Sequence, residues 1–113
     1  MTYKVKIIHE VEYQQIQTEQ MKNVMQLLVN DAQYKILLNK QKYAVKKIDT
    51  KQSKATKKKI NENKTQVTVN IIAEIIKQPT MLEEDLINQL LRYNNKKDEI
   101  KSRPISVEVI EVE

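Results

Sequence analysis

Residues 3–13, Tyr-Lys-Val-Lys-Ile-Ile-His-Glu-Val-Glu-Tyr, alternate so that Tyr3, Val5, Ile7, His9, Val11 and Tyr13 share one face, the period of a half-buried β-strand. From Thr18 the period lengthens. Met21, Val24, Met25, Leu28 and Ala32 recur at helical spacing, which predicts a helix starting near Thr18 and ending between Asn30 and Asn39. Tyr43–Asp49 reads two ways, as a short strand or as two further turns of that helix. Thr65–Ile76 carries Val67, Val69, Ile71, Ala73 and Ile75 on one side and Ile72 and Ile76 among the polar residues of the other, the pattern of a central strand. Pro79–Glu83 supplies a helix start, with Thr80 as N-cap and Glu83 completing a capping box. Leu82, Leu86, Leu90 and Tyr93 form its buried stripe, helped by Ile87 and Leu91. Pro104 opens the last strand, in which Ile105, Val107 and Val109 alternate with polar residues. The change of phase at Ile110 and Val112 predicts a bulge or a frayed end there.

The order strand, helix, strand, strand, helix, strand predicts an α+β fold of ferredoxin-like βαββαβ type, one antiparallel sheet with two helices on one face. Its second strand would lie at an edge, where Lys42, Lys46 and Lys47 discourage aggregation. The alternative is a three-stranded sheet with one long helix over residues 18–49. Residues 51–64 lack apolar periodicity and read as a Lys-rich arm or hairpin loop. At 113 residues the chain suits a single α+β domain over 1–113.

Composition sharpens this picture mainly by what it removes. There is no Gly, and Pro occurs only at 79 and 104, so left-handed turn positions fall to residues such as Asn61, Asn63, Asn94 and Asn95. Without Phe or Trp, the interior is filled by Ile, Val, Leu and Met. The absence of Cys excludes thiolate chemistry, and the absence of Gly excludes phosphate-binding Gly loops. Heavy use of Lys, Ile, Asn and Gln reads as the coding bias of an AT-rich genome, such as that of a low-GC bacterium, phage or plasmid. No signal-peptide or membrane-spanning run occurs, which makes the cytoplasm the expected location.

Charge is the most informative departure from an ordinary composition. Nine of the twenty Lys and Arg residues lie between Lys42 and Lys64, opposed only by Asp49 and Glu62, so this segment carries +7 while the rest nets −2. Lys46, Lys47, Lys51, Lys54, Lys57, Lys58, Lys59 and Lys64 are therefore the candidate nucleic-acid-binding residues, suited to tracking a phosphate backbone. The tract contains no Arg, which dominates base-edge recognition, so sequence-specific readout is not expected from it. Nor does Thr65–Ile76 contain an aromatic on which bases could stack.

Candidate catalytic chemistry is sparse. His9 is the single histidine and falls by parity on the inward side of the first strand, a place for a core-margin residue more than for a general base. Glu83, Glu84 and Asp85 are consecutive helical residues and cannot converge on one ion. Glu10, Glu12, Glu74 and Glu108 share the open sheet face by parity, a weak signal for a metal-assisted site. No enzyme activity, cofactor or metal is expected. Ile8, Ile72 and Ile110 emerge on that same face, one from each of three strands, and are the expected partner interface, for example in a homodimer through the sheet. Together these readings predict a binding protein that contacts nucleic acid nonspecifically. The alternative is an assembly component, such as a virion joining protein or an inhibitor of a host enzyme, whose lysines meet an acidic protein surface.

Overall fold

The alternation at the N-terminus is realised as β1 (Thr2–Glu12), in which Val5, Ile7, His9 and Val11 are enclosed while Lys4, Lys6, Ile8 and Glu10 point to the other face. The computed structural model describes residues 1–112. Next comes α1 (Thr18–Leu38), where the Gln17 backbone N–H donates to Gln20 Oε1 at 2.9 Å. Met21, Val24, Leu28, Ala32 and Ile36 line its buried face. The helix stops at Asn39, whose carboxamide donates to Lys35 O and to Gln89 Oε1, both at 2.8 Å. One further turn, α2 (Lys40–Tyr43), ends at Ala44 in the left-handed region with φ 50°. β2 (Val45–Asn61) and β3 (Lys64–Ile75) then form a long hairpin, followed by α3 (Pro79–Gln89), the two-residue β4 (Asn94–Asn95) and β5 (Ile100–Glu111).

The five strands form one antiparallel sheet in the order β2-β3-β1-β5-β4. β3 alternates without a break, with Thr65, Val67, Val69, Ile71, Ala73 and Ile75 buried and the residues between them half-buried. Each fully buried aliphatic side chain stabilises the fold by roughly 1.5–3 kcal/mol. The inward residues of β1, β3 and β5 join those of α1 and α3 in one hydrophobic cluster, which also contains Tyr43 and Val45. Helix α1 lies over β2 and β3, whereas α3 lies over β5. Side chains tie these layers together. Asp31 Oδ2 accepts from the Leu91 backbone N–H at 2.7 Å, Glu83 Oε1 accepts from that of Val109 at 2.7 Å, and the hydroxyl at the tip of the buried Tyr43 donates to Asp85. Lys42 Nζ joins the same carboxylate at 2.9 Å. Hydrogen bonds from Tyr43 and then Lys42 hold the Asp85 carboxyl below the usual range.

Neither architecture expected from the sequence is adopted. The ferredoxin-like βαββαβ arrangement, with its four strands and two helices, is replaced among the described residues by a five-stranded sheet and three helices. The long-helix alternative fails because Ala44 leaves right-handed space immediately before Val45, where β2 begins. The extra strand comes from a small hairpin in which Asn94 pairs with Lys101 and Asn95 with Ile100. It is closed by Asn95, whose amide donates to Asp98 Oδ2 at 2.7 Å, and it moves β5 away from the sheet edge. Residues 51–61, expected as an arm or loop, continue β2, so that only Glu62 and Asn63 separate the two strands.

Smaller expectations also change. The expected capping box at Thr80 does not form: Gln78 is the N-cap, with φ 45°, and Glu83 turns to β5 instead. Among the described residues the left-handed non-glycine positions are Ala44, Gln78 and Glu99, none of them asparagine. The register shift in the last strand lies between Ser106 and Pro104, opposite Ile8 and His9, and it expels Ile105 to 44 % exposure.

Candidate nucleic-acid interface

The lysine tract occupies the free edge of the sheet, because among the described residues β2 pairs with β3 on one side and with no strand on the other. Between the pairs Asp49↔Ile72 and Lys54↔Asn70 the strand accommodates four residues, 50–53, opposite the single residue Ile71. Local side chains hold this bulge. Asp49 Oδ1 accepts from the backbone N–H groups of Lys51 and Gln52 at 3.1 and 3.2 Å. Ser53 Oγ donates to Asp49 O at 2.7 Å and accepts from the Ile72 N–H at 3.2 Å. The only carboxylate on the strand is thus engaged by its own backbone rather than by the neighbouring ammonium groups.

The register then sorts the lysines. Lys47, Lys54 and Lys58 lie opposite Glu74, Asn70 and Gln66 on the open face of the sheet. Lys57 and Lys59 lie opposite Val67 and Thr65 on the helix side, where they border a cleft of about 250 Å³ with Tyr13, Ile16 and Thr18. Lys51 belongs to the bulge, and Lys46 sits at the register shift between Val45 and Lys47. All seven are exposed, and among the described residues none of them makes an ion pair. Lys64 differs from the rest. Its ammonium lies 3.5 Å from Glu10 and 3.4 Å from Glu12, so it is already compensated.

Two further lysines share the open face beside β3 without having been candidates. Lys4 and Lys6 project from β1 opposite Ile72 and Asn70 of β3, and among the described residues neither meets a carboxylate in an ion pair. The same alternation that turns Val5 and Ile7 inward turns these two outward, so the signal was present in the sequence.

Lys4 and Lys6 also bear on the three isoleucines. Ile72 and Ile110 sit on either side of Lys4, while Ile8 lies two rows away beside Thr68 and Ser106. All three are on the open face, as the parity predicted, but the register interleaves them with charged residues instead of gathering them into one apolar patch.

The remaining candidates are dispersed. His9 is fully buried between Val67 and Pro104 with neither ring nitrogen hydrogen-bonded, and burial pushes its pKa down to about 4. Glu10 and Glu12 are bridged by Lys64, Arg103 approaches Glu10 at 3.2 Å, and Glu74 and Glu108 lie opposite Thr2 and Lys6. Among the described residues no group of carboxylates and histidine is placed to hold a metal ion. A groove of about 880 Å³ runs between the β2–β3 turn and the β4–β5 hairpin, where Lys64, Lys96 and Lys101 are matched by Glu12, Glu62 and Glu99. Its balanced charge gives it no preference for a polyanion. Compared with protein-family models, with curated proteins and with solved structures, the chain matches none.

Proposed function

We propose that this protein is a non-enzymatic binding module that engages the phosphate backbone of nucleic acid nonspecifically through β2. The observation that carries the reading is the set of seven exposed lysines along β2, at 46, 47, 51, 54, 57, 58 and 59, none of which makes an ion pair among the described residues. Such a row attracts polyanions and releases their counterions on contact, so affinity falls steeply with salt. Lysine presents a point charge, not the planar fork that reads guanine, which supports positioning without sequence preference. The Gly-free, Lys- and Ile-rich composition supports an origin in a low-GC bacterium, phage or plasmid, with action in the cytoplasm. Among the described residues no helix is long and apolar enough to cross a membrane.

Fluorescence anisotropy with short DNA and RNA tests this directly. Binding at low salt should weaken at physiological salt for every sequence and be largely lost when Lys54, Lys57, Lys58 and Lys59, which cover both faces of β2, are changed to Ala. Absence of low-salt binding would retire the proposal.

A second reading, an assembly component that docks on protein, is favoured by Leu27, Tyr34, Leu37 and Leu38, which stand exposed along α1 away from the sheet. Such a component would form a salt-stable complex with one partner chain and ignore oligonucleotides.

A further inference from the structure

We infer that the ligand is a single strand of nucleic acid lying lengthwise over β3 on the open face, between two lysine rails, the second formed by Lys4 and Lys6 on β1. This rests on the nucleic-acid reading above and narrows it. The rails follow from the register. Lys54, Asn70 and Lys6 form one row across β2, β3 and β1, and Lys58, Gln66 and Glu10 another. Lys4 stands one row beyond Lys6, beside Ile72. The rails are two strand spacings apart, about 9.5 Å.

Between them the outward residues of β3 are Gln66, Thr68, Asn70 and Ile72, uncharged over a run of about 20 Å. The Gln66, Thr68 and Asn70 side chains of this floor carry hydroxyl and carboxamide groups that can meet base edges, while the lysines on either side take the phosphates. A duplex hides its pairing edges, whereas a single strand turns them towards such a floor while its phosphates reach the ammonium groups on either side.

The acidic groups on this face bound the path. Glu74 closes one end next to Lys47, and Glu10, held by Lys64 and Arg103, ends the β1 rail at the other. Glu108, across from Lys6 on β5, keeps a phosphate backbone from spreading beyond β1. No aromatic lies on the floor, so the stacking energy of about 1–3 kcal/mol per base found on aromatic platforms is missing. Binding is therefore weak, short and strongly dependent on salt, at the low end of about 4 nucleotides per site.

The test is the salt dependence of binding of an oligothymidylate of about 12 nucleotides, and of the corresponding duplex, to the wild type, to K4Q/K6Q and to K54Q/K58Q. Each phosphate neutralised on a single strand contributes about −0.7 to the slope of log K against log salt, so K4Q/K6Q should flatten that slope by about 1.4. The single strand should bind more tightly than the duplex. If K4Q/K6Q keeps the wild-type slope while K54Q/K58Q loses binding, the edge reading stands and the two-rail path is wrong. Equal or tighter binding of the duplex would overturn the path as well. If the wild type binds neither form, the parent reading falls with it. Lysine acylation with and without the oligothymidylate gives a check that needs no variant, since Lys4 and Lys6 should be protected together with Lys54, and their unchanged reactivity would overturn the inference.

Discussion

β2 and β3 are hydrogen-bonded neighbours, yet they show opposite relations between sequence and burial. β3 has a strand on each side and a helix layer over one face, and every second residue is enclosed. β2 has one neighbour and a bulge at its middle, and from Thr56 to Asn61 every residue is exposed. The period of two therefore reports a packed layer over one side of a strand, not the strand itself. Where the cover stops, a paired strand carries no more pattern than a loop.

The sharpest way to break the contrast is to mutate directly opposed kinds of position. Ile71→Ala, at the centre of β3, should cost about 2–5 kcal/mol in urea unfolding, whereas Lys57→Ala on β2 should stay within about 0.5 kcal/mol. Equal losses would mean that β2 is not a marginal edge at all. The next effect comes from His9, which packs against β3 at Val67. Because burial lowers its pKa from 6.5 to about 4, the unfolded chain binds the proton more readily in that window. Stability is then full above pH 6.5 and declines as the pH falls towards 4, by about 3 kcal/mol from this group. Unfolding midpoints across that range should show the decline, and His9→Leu should remove it.

A smaller loss should follow Ser53→Ala. Removing the hydroxyl leaves the Asp49 carbonyl and the Ile72 N–H without their bulge partner, at about 1–2 kcal/mol, and hydrogen exchange at Ile72 should rise. Smallest and opposite in sign is Ala44→Gly at the entrance to β2. Relief of the left-handed alanine should raise stability by about 1 kcal/mol, measured by thermal unfolding.

Legibility in the sequence followed the same physics. β1, α1, β3 and the body of α3 were readable because Val5, Ile7, Leu28, Ile71 and Leu86 each repeat at the period of an element packed against the core. The second half of β2 was not, since Lys57 to Asn61 have no layer over them. β4 escaped because a two-residue strand has no period, and its pairing depends on Asn95 and Asp98 side chains that read locally as a turn. The Thr80 capping box misled because the Glu83 carboxylate found a stronger demand across space, at the Val109 N–H. Of the surface residues, the tract at 46–59 was visible as composition. Its division between two faces was not, because that depends on a bulge that no local signal announced. The compensation of Lys64 was equally hidden, since it needs Glu10 and Glu12 from a strand more than fifty residues away.

The free edge of β2 has a colloidal consequence. Its outer edge is a template for another chain on either side of the bulge at residues 50–53, and there the mutual repulsion of the lysines keeps two such edges apart. A polyanion that neutralises those lysines removes the barrier. Turbidity should accordingly rise as polyphosphate or oligonucleotide is titrated towards charge equivalence and clear again in excess, when the edges repel once more with the opposite sign. An edge guarded largely by charge makes this protein's solubility a function of the company it keeps.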